Sequence, residues 1–261
     1  MTARIAQANN LYAYVICNPM KYIDPLGNDA WLVHGTTGIL KAADDGTGLG
    51  HWNDTFVNYL SSLFSQSIHY CFEWDGRNAR QHRLSGAELL VSAIIDVHGT
   101  NPFLINEPIR LIGYSHGGNV AIQAANMLAE NYGIYVDTLI TIATPIRADN
   151  VLAAQVGQHI NVYNRGDSVQ TFGGIDSFWQ GNFRLLRARR TKEGAVNIPV
   201  VTDINSWRRV YNHGIMHSNT EIWEYYIEPR LELSYMSVLN GCICSMHSLI
   251  FMNHLLALDK P

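Results

Sequence analysis

The sequence predicts an α/β fold with a mainly parallel central sheet and helices on both faces. Two observations carry this. Apolar strand-like runs alternate with segments of helical spacing along most of the 261 residues, the pattern of successive βαβ units. At mid-chain, Ile109-Arg110-Leu111-Ile112 feeds Gly113-Tyr114-Ser115-His116-Gly117-Gly118, and a helical stretch runs on from Asn119 to Leu128. A strand entering a helix through Gly-x-Ser-x-Gly is a nucleophile elbow, a sharp turn that lifts a serine hydroxyl off the sheet edge. Side chains two residues before and after the serine would collide across such a turn, which is why Gly113 and Gly117 stand there. The N–H groups of the helix start then point at charge developing beside the serine.

Taken in order, Ala30-Trp31-Leu32-Val33 reads as a buried parallel strand, followed by the loop His34-Gly35-Thr36-Thr37-Gly38. Asp45 to Gly50 is a loop by composition. Trp52 to Phe64 is helical, with Phe56, Leu60 and Leu63 on one face. Ser67 to Trp74 alternates like a strand, Asp75-Gly76-Arg77-Asn78 turns, and Ser85 to Val97 is a helix with Leu89, Leu90, Ala93, Ile94 and Val97 inward. After the elbow, Val136 to Pro145 is a strand and Val151 to Val156 is a candidate short helix. Gln158 to Asn164 is the next strand, ending in Arg165-Gly166-Asp167. Ala195 to Val201 is the last strand, and its Pro199 places it at an end or an edge. Ser218 is a candidate cap for a helix over Glu221 to Ile227. Leu249, Ile250, Phe251, Leu255 and Leu256 suggest a buried helix in the tail.

Composition narrows the partners. A hydrophobic content of 47% is enough for one large core. A formal charge of −4 gives no case for nucleic-acid binding. Cys17, Cys71, Cys242 and Cys244 are too few and too unevenly placed for a disulfide framework, so a reducing, cytoplasmic setting is expected. Cys242-x-Cys244 lacks the second pair of a structural zinc site, and His213 and His217 lack the glutamate of a His-Glu-x-x-His pattern. No metal or cofactor is expected. Neither a secretory leader nor a run of transmembrane length is evident.

These motifs resemble lipase-like α/β-hydrolases. The elbow, the His34-Gly35 loop, the Trp74-Asp75-Gly76-x-Asn78 turn and the Ala143-Thr144-Pro145 strand end all match that family's pattern. The resemblance implies a triad in the chain order Ser115, Asp167, His217. His217 is preferred over His213 because it stands just before the helix over Glu221 to Ile227, after the last strand, where the family places its base. Asp149 is the alternative acid. Asp137 begins its strand, at the wrong sheet edge. The backbone N–H groups of Thr36 and His116 would bind the oxyanion, with Thr37 the neighbouring candidate, and His34 would shape the loop. Glu73 and Asp75 read as solvated loop acids.

The first residues look like a separate unit. Asn10-Leu11-Tyr12-Ala13-Tyr14-Val15, Asn18-Pro19 and Asp24-Pro25-Leu26-Gly27 read as a hairpin-like piece. They also resemble the close of the Rhs repeat-associated core, after which a variable toxin follows. This implies two parts, residues 1–29 from the core and 30–261 as the hydrolase domain. It also implies a toxin exported to a target cell by type VI secretion, with an immunity protein as partner. The expected activity is carboxylic ester hydrolysis, on a lipid or phospholipid. A thioesterase or other non-lipid hydrolase, and a non-catalytic binding module, are the alternatives. Phe183, Leu185 and Leu186 lie among Arg184, Arg187, Arg189 and Arg190. That mixture is either a surface segment or a patch contacting anionic lipid.

Overall fold

The computed structural model describes residues 29–36, 52–64, 67–69, 72–100, 108–147, 150–172, 188–201 and 209–231. The chain divides into two units after Ile227. The sheet lies in the first. In the second, a single 3-10 turn, Glu228–Arg230, is described. The Rhs-like residues before Asp29, all four cysteines and the apolar tail lie outside the described residues.

Six parallel strands, β1 (Asp29–Val33), β2 (Ser67–His69), β3 (Ile109–Tyr114), β4 (Val136–Ile142), β5 (Val156–Asn164) and β6 (Val196–Val200), form one sheet. Their order is β2-β1-β3-β4-β5-β6. β6 carries Pro199 and is an edge strand, as a residue without an N–H requires. The helices between them are α1 (Asp54–Phe64), α2 (Arg80–Thr100), α3 (His116–Tyr132) and α4 (Ser168–Phe172). Beyond β6 come α5 (Arg209–Gly214) and α6 (Thr220–Ile222), which runs into a π-helical turn, Trp223–Ile227.

Side chains alternate across the sheet. Trp31, Ile109 and Leu111 pack with Ile94 of α2 and Leu128 of α3. The alternate residue Arg110 lies on the other face, its guanidinium 5.1 Å over the Phe64 ring of α1. Phe56 and Phe64 meet Trp223 edge-on at 5.6 and 6.1 Å. Helical segments therefore cover both faces. This is the α/β-hydrolase arrangement, and each fully buried large apolar side chain contributes about 1.5–3 kcal/mol.

Local departures from the sequence reading have local causes. α2 starts at Arg80, before Ser85. The strand at Ser67 stops at His69, and residues 72–77 have no regular structure. Residues 151–155 are not helical, because Asn126 of α3 takes up their backbone groups. Its Oδ1 accepts the N–H of Ala153 and of Ala154 at 2.8 and 2.9 Å, and its Nδ2 donates to the Val151 carbonyl. The cap of α6 is Asn219, whose side chain accepts from Ile222 N at 3.0 Å, and not Ser218.

Candidate active site

A parallel sheet gathers its functional groups at the carboxyl ends of its strands. β3 leads straight into Ser115, at φ 52° and ψ −128°. A non-glycine residue held there costs on the order of 1–3 kcal/mol and persists only where its surroundings impose it. They do. A Cβ on Gly113 would land on the Gly118 backbone, and one on Gly117 on the carbonyls of Val33 and His34. Ala143, just after β4, is the other described non-glycine residue with positive φ, at 50°. It turns Thr144 onto the face of Gly118.

The loop after β1 lies against the serine. A Cβ on Gly35 would stand 2.8 Å from Ser115 Cβ. His34 shapes this loop. Its Nδ1 pairs with the Gly35 carbonyl at 2.8 Å, its Nε2 accepts Trp74 N–H at 3.3 Å, and its carbonyl accepts Trp74 Nε1 at 2.9 Å. Thr36 follows, its Oγ1 buried and without a hydrogen-bond partner among the described residues. On the opposite side, His116 is the first residue of α3. First-turn N–H groups have no acceptor within their own helix. Thr37 lies outside the described residues.

β5 ends in the turn that carries Asp167, which is wholly buried. Its Oδ1 accepts Gln170 N–H at 2.9 Å, capping α4. Its carbonyl accepts Arg190 Nη2 at 2.7 Å and Thr171 Oγ1 at 3.2 Å. Its Oδ2 stands 2.6 Å from His213 Nδ1. The other nitrogen of that ring, Nε2, is 3.0 Å from Ser115 Oγ. With the Nδ1 proton donated to Asp167, Nε2 presents a lone pair to the serine hydroxyl.

The histidine beside Ser115 is therefore His213, not the His217 chosen from sequence. The chain leaves α5 at Gly214 through a turn in which Met216 N–H donates to the His213 carbonyl and His217 N–H to that of Gly214. That turn carries His217 between two rings. It stacks on Trp52 at 4.3 Å and meets Tyr114 edge-on at 4.6 Å, with Nδ1 paired to Ser218 Oγ at 2.9 Å. Of the other acids, Asp137 lies at the start of β4, 3.9 Å from Arg110, and Asp149 lies outside the described residues.

Sequence reasoning missed four supports. Tyr114 donates its hydroxyl to the His213 carbonyl at 3.1 Å. Burial, helped by the charge on Asp167, raises its phenol pKa well above the usual 10, so it stays a donor. Gln170 and Arg190 hold Asp167, and Trp52 holds His217. Only Gln170 had a local signal, the capping spacing Asp167-Ser168-Val169-Gln170.

Among the described residues, no group of three or more His, Cys, Asp or Glu could hold a metal ion, and no helix is long and apolar enough to cross a membrane. Of the arginine-rich segment, residues 181–187 lie outside the described residues. Ala188 to Arg190 is described and packs on the Asp167 turn and on Ile146.

Neither a protein-family model nor a curated protein matches the chain. Among solved structures, the chain is similar to an alpha-beta serine hydrolase homologue from Coxiella burnetii, at 15% identity and a TM-score of 0.40. The match covers 76% of this chain and 87% of that one.

Proposed function

We propose that this chain is a serine hydrolase that cleaves carboxylic esters. The observation that carries the reading is the His213 ring, placed between Ser115 Oγ and Asp167 Oδ2. His213 Nε2 takes the hydroxyl proton as Ser115 Oγ attacks the carbonyl carbon. The proton then passes to the departing alcohol, leaving an acyl-serine. Water, deprotonated by the same nitrogen, releases the acid. Asp167 holds the tautomer and stabilises the imidazolium. The oxyanion is bound by the N–H groups of His116 and Thr36, each such donor being worth about 3 kcal/mol.

The test is a panel of p-nitrophenyl acyl esters with a fluorophosphonate probe. We expect turnover and labelling at Ser115, both lost in Ser115→Ala. Equal turnover by a folded Ser115→Ala chain would overturn the reading. The finer reading is a lipase or phospholipase that acts as an Rhs-type toxin. It is supported by the family resemblance of the elbow region and of Asn10 to Gly27. Phospholipid vesicles separate it from a thioesterase, which would prefer acyl thioesters.

A further inference from the structure

A second site stands apart from this chemistry. A cavity of about 900 Å³ lies between residues 146–147 and 150–159 on one side and 188–194 on the other, and none of Ser115, Asp167 or His213 lines it. Its walls include Lys192, buried to 8% exposure. Among the described residues the ammonium makes one hydrogen bond, to the Asn150 carbonyl at 3.3 Å. No carboxylate pairs with it among the described residues. The other charged or titratable groups lining the cavity are Arg147, His159, Arg189 and Glu193.

This cation is held in place by a network of amides. Asn197 grips the Lys192 backbone on both sides, its Oδ1 accepting Lys192 N–H at 2.8 Å and its Nδ2 donating to Lys192 O at 2.7 Å. Asn161 in turn donates to Asn197 Oδ1 at 2.8 Å and to the Arg190 carbonyl at 2.7 Å. Asn150, the acceptor, is itself fixed by its Nδ2 on Asn119 of α3. His159 stays neutral, because burial and the Lys192 charge bring its pKa down to about 3. It cannot compete for an anion, nor does it neutralise Lys192. A buried ammonium with a single carbonyl partner is poorly compensated, and burial lowers its pKa to about 8. An anion would supply the missing partner. Ile146, Leu152, Val156 and Ala188 supply apolar wall beside it.

We propose that this cavity binds a small organic anion, its charged head on the Lys192 ammonium and its apolar body against Ile146, Leu152, Val156 and Ala188. The probes are octanoate and inorganic phosphate, titrated calorimetrically into the full chain. Octanoate should bind saturably and more tightly than phosphate. Lys192→Met, which keeps the volume and removes the charge, should weaken it by at least about tenfold, the scale of a lost buried charge pair. Octanoate held at the serine site would survive that substitution. On the unaltered chain, affinity should fall as pH rises through about 8, where Lys192 loses its proton while the probe stays ionised. Absence of saturable octanoate binding, phosphate binding more tightly than octanoate, or undiminished binding by a folded Lys192→Met chain would each overturn the proposal. Should that variant not fold, an affinity constant through the Lys192 titration would overturn it equally.

Discussion

Tyr114 donates its hydroxyl to the backbone carbonyl of His213, at 3.1 Å and across 99 residues of chain. The residue that precedes the candidate nucleophile therefore fixes the backbone of the candidate base. Tyr114→Phe removes one of two donors to that carbonyl and leaves the N–H of Met216 in place, at a stability cost of about 0.5–1.5 kcal/mol. If Tyr114 positions His213 for proton transfer, kcat for a soluble ester should fall roughly tenfold with KM little changed. A stability loss with full kcat at low temperature would make Tyr114 a packing residue alone.

His213 and His217 should separate sharply. His213→Ala removes the only ring within hydrogen-bond distance of Ser115 Oγ among the described residues, and kcat should fall by roughly a thousandfold or more. His217→Ala empties the space between Trp52 and Tyr114. Its expected signature is a lowered melting temperature with a far smaller change in kcat. Turnover and thermal unfolding of the two variants, measured side by side, check both outcomes.

Why the serine was legible and the histidine was not follows from what each contact depends on. The elbow is local: the strand, both glycines and the helix are contiguous, so Ser115 and the strand following it were readable. Asp167 was readable because it closes a strand in a parallel sheet. The choice between His213 and His217 depended on where α5 stops and on Trp52, which precedes α1 far earlier in the chain. No local pattern encodes that stacking. One weak signal existed. Gly166 precedes Asp167 and Asn212 precedes His213, and a Cβ on Gly166 would press on Asn212 Nδ2 at 2.6 Å. The two dipeptides fit against each other, but only the folded chain shows it. The spacing of 151–156 likewise misled, since a single side chain, Asn126, bonds backbone groups of Val151, Ala153 and Ala154 outside any helix.

His159 makes the fold sensitive to acid. Its pKa falls from 6.5 to about 3, first through burial and then through Lys192. Above about pH 6.5 the ring is neutral in both folded and unfolded chains and contributes no pH dependence. Below that value the unfolded chain takes up a proton that the folded chain refuses. Stability is then lost progressively down to about pH 3, with a slope approaching about 1.4 kcal/mol per pH unit. His159→Gln should be less stable than the unaltered chain near neutrality, because the contact with Thr141 Oγ1 at 3.2 Å is disturbed. Its stability should fall less steeply in acid. Urea unfolding of both chains at about pH 7 and about pH 4.5 checks this, and parallel slopes would remove His159 as the cause.

Arg190, the last arginine of residues 184–190, has a described contact of its own. Arg190 donates Nη2 to the Asp167 carbonyl at 2.7 Å, and Asp167 holds the ring that contacts Ser115. Arg190→Gln should therefore lower kcat for a short soluble ester by several-fold, the scale of a lost charge-assisted hydrogen bond. Its effect should be indifferent to the presence of lipid. Of the four arginines in the membrane reading, Arg184 and Arg187 stand among Phe183, Leu185 and Leu186 in sequence. If that segment meets anionic lipid, replacing Arg184 and Arg187 by glutamine should reduce hydrolysis of anionic vesicles and spare the soluble ester. The difference should shrink as ionic strength rises, because exposed charges are screened within about 8 Å at physiological salt. A double replacement that slows both substrates alike would place these two arginines with Arg190 in holding the fold, and would leave the lipid surface without a contact in this segment.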